Sequence, residues 1–422
     1  MSRGALVSRR AVLAAGAALV AGGCAGTARS GSRPELVWLT GGITSADQGP
    51  AQDIVTRWNA LHSTGPQVRV ETLPQSADGQ RWVLALELGA GLPNFDIFDL
   101  DEVWTAEFAQ HRWLVDLEDL RPDIEHVSLS GPLQGAEWNG KLWAAPYVAD
   151  AGILYYRSDL VDRPPTTWDE LIDIGRRVGT QNGIAPFVAD GAPYEGLVVQ
   201  YLEYFWDLGG EVLDRDGQSV LFPLDKAEQA AEFMRAAFRE GTYAPGFDTM
   251  KLEDARRTFQ SGEAVFLRSW PYAYQQMNGA DKDSQVAGKV GIASLPGFRG
   301  NRPVATLGGH NLAVSASSRN ISAATEFVRF VATSREVQRR LAQQHSLAPT
   351  LAATYDDLAA DPMMALLARV LPAAKPRPIT TEWATISAEM QRQIFAAYTG
   401  TREPKIATEE LRSFLVAIVS GG

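Results

Sequence analysis

Strands and helices alternate over an early part of the chain, and this alternation constrains the fold more than any other feature. Residues 36–39, 68–73 and 95–98 are short apolar or alternating runs that are typical of strands. Apolar residues between 54 and 61 recur at helical spacing, and 80–88 suits a second helix. Strands that alternate with such helices indicate a parallel sheet covered on both faces. The sequence therefore predicts an α/β fold.

The same mixture continues along the chain, with more helix in the second half. Residues 140–146 and 153–156 are predicted strands, and a capping box at Thr167–Glu170 opens a helix. Further helices are predicted at 195–208, 226–240, 323–332 and 334–344, and further strands near 264–267 and 312–315. Because 422 residues exceed the size at which one hydrophobic core keeps growing, we expect two domains.

The composition excludes several classes of partner. Hydrophobic residues make up 45% of the chain and charged residues 21%, as in an ordinary soluble globule. The net charge of -11 argues against nucleic acid and anionic lipid surfaces, because phosphate binding needs clustered Lys and Arg. With a single cysteine no disulfide framework is possible, so stability must come from the burial of a core.

That cysteine, Cys24, follows an apolar run of small residues at 11–23, which itself comes after Arg9 and Arg10. A charged start followed by such a run is the layout of a secretory signal, and the run is too short to span a bilayer. Residues 21–24 (AGGC) resemble a bacterial lipobox. The resemblance implies that the cysteine sulfur carries a lipid and becomes the first residue of the mature chain.

This interpretation divides the start of the chain into a signal peptide at 1–23 and a lipidated tether at 24–34. The tether is small and polar, as flexible linkers are. An ordinary signal peptide with an incidental cysteine is the alternative. Because residues 8–13 (SRRAVL) also look like a twin-arginine signal, the general and the twin-arginine export routes both stay open.

An enzyme would need a recognisable set of reactive groups, and the usual sets are missing from the sequence. No phosphate-binding loop, dinucleotide-binding glycine motif or serine nucleophile elbow occurs. The histidines do not approach each other at metal-ligand spacing; they are His62, His111, His126, His310 and His345. We therefore predict no catalytic residue, no metal and no cofactor. Paired carboxylates of a glycosidase stay open, because a chain this acidic always offers some pair.

Seven blocks follow one another in order along residues 36–420. They are Asp101–Ala109 (DEVWTAEFA), Trp138–Pro146 (WNGKLWAAP), Leu154–Leu160 (LYYRSDL), Pro164–Leu171 (PPTTWDEL), Phe259–Ala264 (FQSGEA), Gly308–Ser315 (GGHNLAVS) and Ala324–Val328 (ATEFV). In this order they resemble the extracytoplasmic carbohydrate-binding proteins of ABC importers, the maltose-binding-protein-like group. Each block alone is a weak signal, and the ordered set is a specific one.

Within that group the chain is most similar to actinobacterial trehalose-binding lipoproteins. Residues 103–109, 131–133 ahead of Trp138, 195–199 and the Arg377-Pro378 pair carry this closer match. The sequence departs from the pattern at two positions, with Asp150 in place of an expected Asn and His310 in place of an apolar residue. Both positions are expected near the ligand, so the identity of the sugar stays open.

The resemblance implies a type II periplasmic-binding-protein fold of two α/β lobes, each a sheet covered by helices, joined by a hinge. Lobe one would comprise 35–148 plus 309–347, and lobe two 150–307 plus 350–422. Hinge crossings would lie near 149, 308 and 348. Gly308 and Gly309 suit a crossing, because glycine absorbs changes of φ and ψ and lets backbone approach a ligand.

A neutral disaccharide presents hydroxyl groups and apolar C–H faces, so its site needs both polar and aromatic partners. Carboxylates accept from hydroxyls, Arg donates in a fixed fork and an aromatic ring covers the C–H face. Carried over block by block, the resemblance implies six sugar-binding residues: Asp101, Asp150, Glu195, Trp270, Gly309 and Arg377. Secondary candidates are His310, Tyr147, Tyr194 and Trp206. Each also has a structural alternative, as a solvated turn carboxylate, a helix-start residue, a surface cation or a core aromatic.

The resemblance implies a substrate-binding lipoprotein that captures a di- or oligosaccharide, with a trehalose- or maltose-type α-glucoside favoured. It would act as a monomer outside the cytoplasm, anchored to the outer face of the cell membrane, and deliver the sugar to an ABC permease. A binding protein for another oligosaccharide or for a glycerophosphodiester is the alternative, and a secreted glycosidase is a further one.

Overall fold

The structure is a computed structural model that describes residues 35–41, 49–215, 217–279 and 283–421. The expected signal peptide at 1–23, the lipidation site Cys24 and the tether at 24–34 lie outside these described residues.

Strands and helices alternate along the described chain. The strands are β1 Glu35–Thr40, β2 Gln67–Thr72, β3 Ile97–Asp101, β4 Glu137–Trp138, β5 Lys141–Leu142, β6 Ala145–Ala151, β7 Ile153–Arg157, β8 Ala185–Val188, β9 Ala264–Ser269, β10 Val290–Ser294 and β11 Leu307–Val314. The helices are α1 Pro50–Leu61, α2 Ala77–Gly89, α3 Thr105–Gln110, α4 Arg121–Ile124, α5 Ser130–Gly135, α6 Trp168–Asn182, α7 Glu195–Asp207, α8 Leu224–Arg239, α9 Leu252–Gln260, α10 Ala273–Asn278, α11 Ile321–Thr333, α12 Arg335–His345, α13 Ala353–Asp357, α14 Pro362–Val370, α15 Trp383–Thr399 and α16 Pro404–Gly421. Short 3₁₀ turns cover Glu102–Trp104, Glu118–Leu120, Phe247–Thr249 and Leu371–Ala373.

The first sheet has five strands in the order β2-β1-β3-β11-β6. Its first three strands are parallel, and β11 is antiparallel to both β3 and β6. Helix α1 packs on β2, and α5 and α11 pack on β6 and β11. Buried Trp38 and Trp58 both meet Phe327 of α11 edge-on. The parallel sheet that the early alternation predicts is therefore present, and it is extended by the antiparallel strand β11 and then by β6, which both come from later in the chain.

The second sheet has four strands in the order β10-β7-β9-β8. Here β7 is antiparallel to β10 and β9, and β8 is parallel to β9. Helix α6 packs on β8, while α7, α8, α15 and α16 pack on one another. An aromatic cluster of Trp168, Tyr204, Phe233 and Phe298 fills this part of the core.

The strand predicted at 140–146 is only partly confirmed, because it is interrupted: β5 ends at Leu142 as one arm of a hairpin, and β6 begins at Ala145. Strands β4 and β5 are joined by Asn139 and Gly140, whose φ angles are 50° and 73°. Two successive positive φ values are those of a tight hairpin turn, for which Asn-Gly is the preferred pair. The next long strand, β6, begins only at Ala145 and is buried along its whole length.

The chain crosses between the two sheets at three places. Gly152 alone separates β6 of the first sheet from β7 of the second. On the return, Leu307 of β11 pairs with Ala151, and later Ala348 pairs with Ala149. A Cβ atom on Gly152 would lie 2.2 Å from Glu203 Oε1 and 2.6 Å from Arg268 Nη2, so a side chain at this crossing would have to displace the buried Glu203–Arg268 ion pair.

Candidate functional site

A cavity of about 370 Å³ lies between the two sheets and is lined by residues from both. Its wall includes all six main residues expected to bind sugar, together with two of the secondary candidates. These are Asp101, Asp150, Glu195, Trp270, Gly309, Arg377, Tyr194 and His310. A cavity of this size with a few convergent polar groups is the usual form of a small-molecule site.

Arg377 is buried in the wall and joins carboxylates from separate parts of the chain. Its Nη2 lies 2.7 Å from Asp101 Oδ1 at the end of β3, and its Nη1 lies 2.7 Å from Glu195 Oε1 at the start of α7. Glu102 Oε1 is 3.6 Å from Nη2. These charged contacts raise the pKa of the guanidinium, against the effect of its burial.

Glu195 is fully engaged by protein partners. Besides Arg377, its carboxylate accepts from Trp383 Nε1 at 3.1 Å and from the Ser387 hydroxyl. Its backbone N–H donates to Asp78 Oδ2 of α2 at 3.3 Å. Burial raises the pKa of Glu195, and Arg377 opposes this rise. Glu195 therefore holds the two sides of the cavity together in this conformation.

Glu102 belongs to the same cluster, although it was not among the residues expected to bind sugar. Burial raises its pKa to about 8, and Arg377 opposes the rise. The residue packs against Gly135, where an added Cβ would lie 2.7 Å from Glu102 Cβ. A small residue at 135 is the local feature that lets this carboxyl group sit beside Arg377.

Two other carboxylates of the wall have free acceptor oxygens. Oδ1 of Asp150 and Oδ1 of Asp190 are buried without a hydrogen-bond partner among the described residues. Burial raises the pKa of Asp150 to about 7 and that of Asp190 to about 6, and the charge of Arg268 opposes both rises. Asp190 lies two residues beyond the end of β8 and was not among the expected residues. A carboxylate near the end of a strand is the local signal that could have identified it; Asp101, which also stands at a strand end, was predicted from the block that contains it.

Trp270 follows β9 and is half-buried beside Asp150. The Arg268 guanidinium lies 4.3 Å from the centroid of its ring. An added Cβ on Gly308 would lie 3.0 Å from that ring and 3.7 Å from Asp150 Cβ. The absence of a side chain at 308 thus lets the ring lie against β11, next to a carboxylate with a free oxygen.

Gly309 and His310 come from the same strand. Gly309 has φ of 124°, and an added Cβ would lie 2.1 Å from Val148 O of β6. Only glycine fits such a conformation with backbone so close. His310 pairs with Asp101 on one side and Val148 on the other, and the ladder shifts register directly after it.

The structure does not bring Tyr147 and Trp206 to this cavity, and we remove both from the candidate set. Tyr147 is 1% exposed and its hydroxyl lies 3.3 Å from both Asp99 oxygens, within the core of the first sheet. Trp206 lines a different cavity, where Lys375 Nζ lies 5.2 Å from its ring centroid.

Helix α9 supplies a charged rim that sequence reasoning did not identify. Lys251, Glu253, Asp254 and Arg257 line the cavity there. Tyr194 accepts a hydrogen bond from Leu252 N at 2.9 Å, which fixes the start of α9 against the wall. These charges fall on an ordinary amphipathic helix, so only the folded chain shows that they face the cavity.

Two sheets covered by helices, with a polar cavity between them, define a two-lobed solute-binding protein of the type II periplasmic-binding class. Residues 42–338 match the family of bacterial extracellular solute-binding proteins, and the chain belongs to this family.

Three known proteins illustrate the similarity. A probable ABC transporter-binding protein of Deinococcus radiodurans is 34% identical over 93% of this chain and 96% of its own. A diacetylchitobiose binding protein of Streptomyces coelicolor, DasA, is 25% identical over 69% of this chain and 68% of its own. The solved structure of maltose-bound MalE3 of T. maritima has a TM-score of 0.84 and 33% identity over 91% of this chain and 99% of its own.

These relationships confirm the expected fold class and assign a binding role in place of an enzymatic one, since the relatives are solute-binding proteins. The family is extracellular, which agrees with the expected location outside the cytoplasm. Within the described ranges, no helix is both long and apolar enough to cross a membrane. No cluster of metal-ligating side chains occurs in the same ranges.

Proposed function

We propose that the chain captures a di- or oligosaccharide in the cavity between its lobes and delivers it to an ABC permease. The observation that carries this proposal is the pairing of free carboxylate oxygens with an aromatic ring. Asp150 and Asp190 each offer a buried acceptor, and Trp270 lies beside Asp150. Hydroxyl groups donate to such acceptors, and the C–H face of a sugar packs on such a ring.

A trehalose- or maltose-type α-glucoside is our favoured ligand. The maltose-bound relative shares 33% of its sequence with this chain, and the carbohydrate-binding relative from Streptomyces supports the wider sugar class. The trehalose preference rests on the resemblance of residues 103–109 and 195–199 to trehalose-binding lipoproteins.

A glycerophosphodiester fits the cavity less well. Arg377, the cation buried deepest in the wall, already contacts Asp101 and Glu195. An anionic ligand in the interior of the cavity would therefore face the buried carboxyl groups of Asp150 and Asp190, while Lys251 and Arg257 lie on the rim beside α9. Bringing like charges together in a buried site is unfavourable.

We further propose that the cavity closes around its ligand. Lobe one is taken as 35–148 plus 309–347 and lobe two as 150–307 plus 350–422. The Asp101–Arg377 pair and the Glu195–Asp78 hydrogen bond would then both join one lobe to the other. Contacts of this kind favour the closed form, and a sugar that binds both lobes shifts the population further toward it.

The proposal for localisation is a lipoprotein on the outer face of the cell membrane. Cys24, at the lipobox-like sequence, would carry the anchor, and the tether at 24–34 would leave the lobes free to reach a permease. We propose that the protein acts as a monomer.

Calorimetry and small-angle scattering with trehalose, maltose, longer α-glucosides, β-glucosides and a glycerophosphodiester test the function. We expect tight binding of an α-glucoside, a smaller radius of gyration in its presence and an unaltered sugar after overnight incubation. Preferred binding of the phosphodiester would contradict the sugar proposal, and hydrolysis of the sugar would move the assignment to a glycosidase. Tight binding without compaction would leave sugar capture standing but contradict closure.

A further inference from the structure

The described wall of the cavity carries more negative than positive side chains. Six of its residues bear carboxylates, namely Asp101, Asp150, Asp190, Glu195, Glu253 and Asp254. Three bear cationic groups, namely Lys251, Arg257 and Arg377. A neutral sugar requires hydrogen-bond acceptors but does not require this excess of negative charge.

Most of the carboxylates are satisfied by protein partners. Asp101 and Glu195 share Arg377. Glu253 accepts from Arg256 at 2.8 Å and from the Tyr272 hydroxyl at 2.6 Å. Asp254 Oδ2 accepts from the backbone N–H of Lys251 at 3.1 Å. These groups have no need of a ligand.

Asp150 and Asp190 are different. They are 8% and 1% exposed, and each has one oxygen without a hydrogen-bond partner among the described residues. Arg268 is the cation whose charge lowers the pKa of both carboxyl groups. Its guanidinium already forms an ion pair with Glu203, through Nε at 2.9 Å and through Nη2. Its Nη1 donates to no described group. Asp150, Asp190 and Glu203 are therefore three buried carboxylates that face the single positive charge of Arg268.

Uncompensated buried carboxylates are costly, and such a group either takes up a proton or acquires a cation. Burial raises the pKa of both groups, to about 7 for Asp150 and about 6 for Asp190. Near neutral pH, the counter-charge that a ligand could supply to these two carboxyl groups is therefore positive. The ring of Trp270, which lies beside Asp150 and already receives one cation, Arg268, is a suitable second partner for a positive group.

From these contacts we propose that the ligand is a saccharide that carries a protonated amino group, bound by Asp150 beside Trp270, with Asp190 as a second carboxylate. This inference rests on the proposed function and specifies the class of sugar. The ammonium group forms charge-assisted hydrogen bonds with the free oxygens, while the remaining hydroxyls are bound as in a neutral sugar.

Matched disaccharides test the inference by calorimetry at pH 7. Trehalose and maltose are the parents; their amino derivatives at carbon two and carbon six, and the N-acetyl forms of these, complete the series. We expect at least one amino derivative to bind about tenfold tighter than its parent, because a charge-assisted bond replaces a neutral one. Its N-acetyl form, which keeps the position but loses the charge, is expected to lose that gain.

The variant Asp150→Asn is expected to weaken binding of both sugars and to remove the gain, so that the amino derivative and its parent then bind with affinities within about threefold of each other. Asp254→Asn is the matched control, because it removes a carboxylate of the same wall that accepts a hydrogen bond from the backbone N–H of Lys251. This variant is expected to keep the preference for the amino derivative over the parent sugar. Parent sugars that bind as tightly as every amino derivative would overturn this inference alone. If no sugar of the series binds, both the inference and the proposed function fail.

Discussion

Asp101 and Arg377 form a buried ion pair, with 2.7 Å between Oδ1 and Nη2, that fixes the end of β3 to the extended segment ahead of α15. The side chains are 13% and 4% exposed. Because Glu195 and Glu102 meet the same guanidinium, removing it leaves three carboxylates close together. The cluster is therefore a structural element that holds the cavity together as well as part of its wall.

Arg377→Ala is expected to lower the free energy of unfolding by about 3–5 kcal/mol, the usual cost of leaving a buried charge without its partner. Urea denaturation followed by circular dichroism measures it. The control is Arg335→Ala, which breaks the exposed pair with Asp357 and is expected to cost less than about 1 kcal/mol. Equal effects of the two changes would show that the Arg377 cluster contributes no more than a surface pair.

Trp270→Ala is expected to weaken sugar binding by about 1–3 kcal/mol, because an aromatic anchor in a buried site is lost. Calorimetry with the tightest ligand gives the change. Trp82→Ala serves as control, since this tryptophan on α2 is 66% exposed and lies outside the cavity wall. Unchanged affinity of the Trp270 variant, with a normal circular dichroism spectrum, would contradict the proposed contact.

Asp150→Asn is expected to stabilise the ligand-free protein at pH 8 and to have little effect near pH 4. The folded-state pKa of about 7 lies above the ordinary value of 3.8, so the folded carboxyl group holds its proton more tightly than the unfolded one. Its contribution to stability is present below about pH 4 and is lost as the pH rises toward 7. The difference in melting temperature between variant and wild type should therefore grow from pH 4 to pH 8. A constant difference would show that Asp150 titrates normally.

Gly308→Ala is expected to reduce ligand affinity with a small effect on stability. The added Cβ would lie 3.0 Å from the Trp270 ring and would displace it. Gly309→Ala is expected to destabilise the fold, because the added Cβ would lie 2.1 Å from Val148 O and because residue 309 has a φ of 124°, which favours glycine. Gly65→Ala, which makes only ordinary contacts at 3.6 Å, is the control. Melting curves and calorimetry separate the two effects. A Gly309 variant as stable as the control would contradict the close approach.

Cys24→Ala is expected to leave the protein without a lipid, and on a Gram-positive or mycobacterial cell partly shed or retained with its signal uncut. The reason is that the sole thiol of the chain stands at the lipobox-like site. Membrane fractionation and mass spectrometry of the mature chain measure the outcome. A lipid-modified Cys24→Ala protein would refute the anchor.

The sequence was sufficient to predict the sheet class and the wall positions that lie in the ordered blocks. Asp101 was found because its block places a carboxylate at a strand end, and Asp190, in the same local setting, lies in no block. Tyr147 lies at the irregularity where the register of β6 against β11 shifts, between Pro146 and Val148, and its hydroxyl faces Asp99 in the core. Trp206 lies eleven residues beyond Glu195 on α7, about 16 Å along the helix axis, too far to share one cavity.

The long-range partners could not be predicted in this way. Arg377 contacts Asp101 across 276 residues and Glu195 across 182. No local pattern specifies which buried acid faces which base, because that choice depends on how the two sheets are set against each other. For the same reason, no local sequence pattern indicates that one oxygen of Asp150 and one of Asp190 are without a hydrogen-bond partner among the described residues.

The single glycine between β6 and β7 has a mechanical consequence. Both flanking strands are hydrogen-bonded within their own sheets, and the N–H of Gly152 donates to Thr306 O at 3.3 Å, so this one residue carries the whole change from one sheet to the other. If the cavity closes around its ligand as proposed, a small rotation at this point would be enlarged with distance, and the greatest displacement would fall on the outer rims of the two halves. A permease that touches those rims would sense the occupied cavity without contacting the sugar.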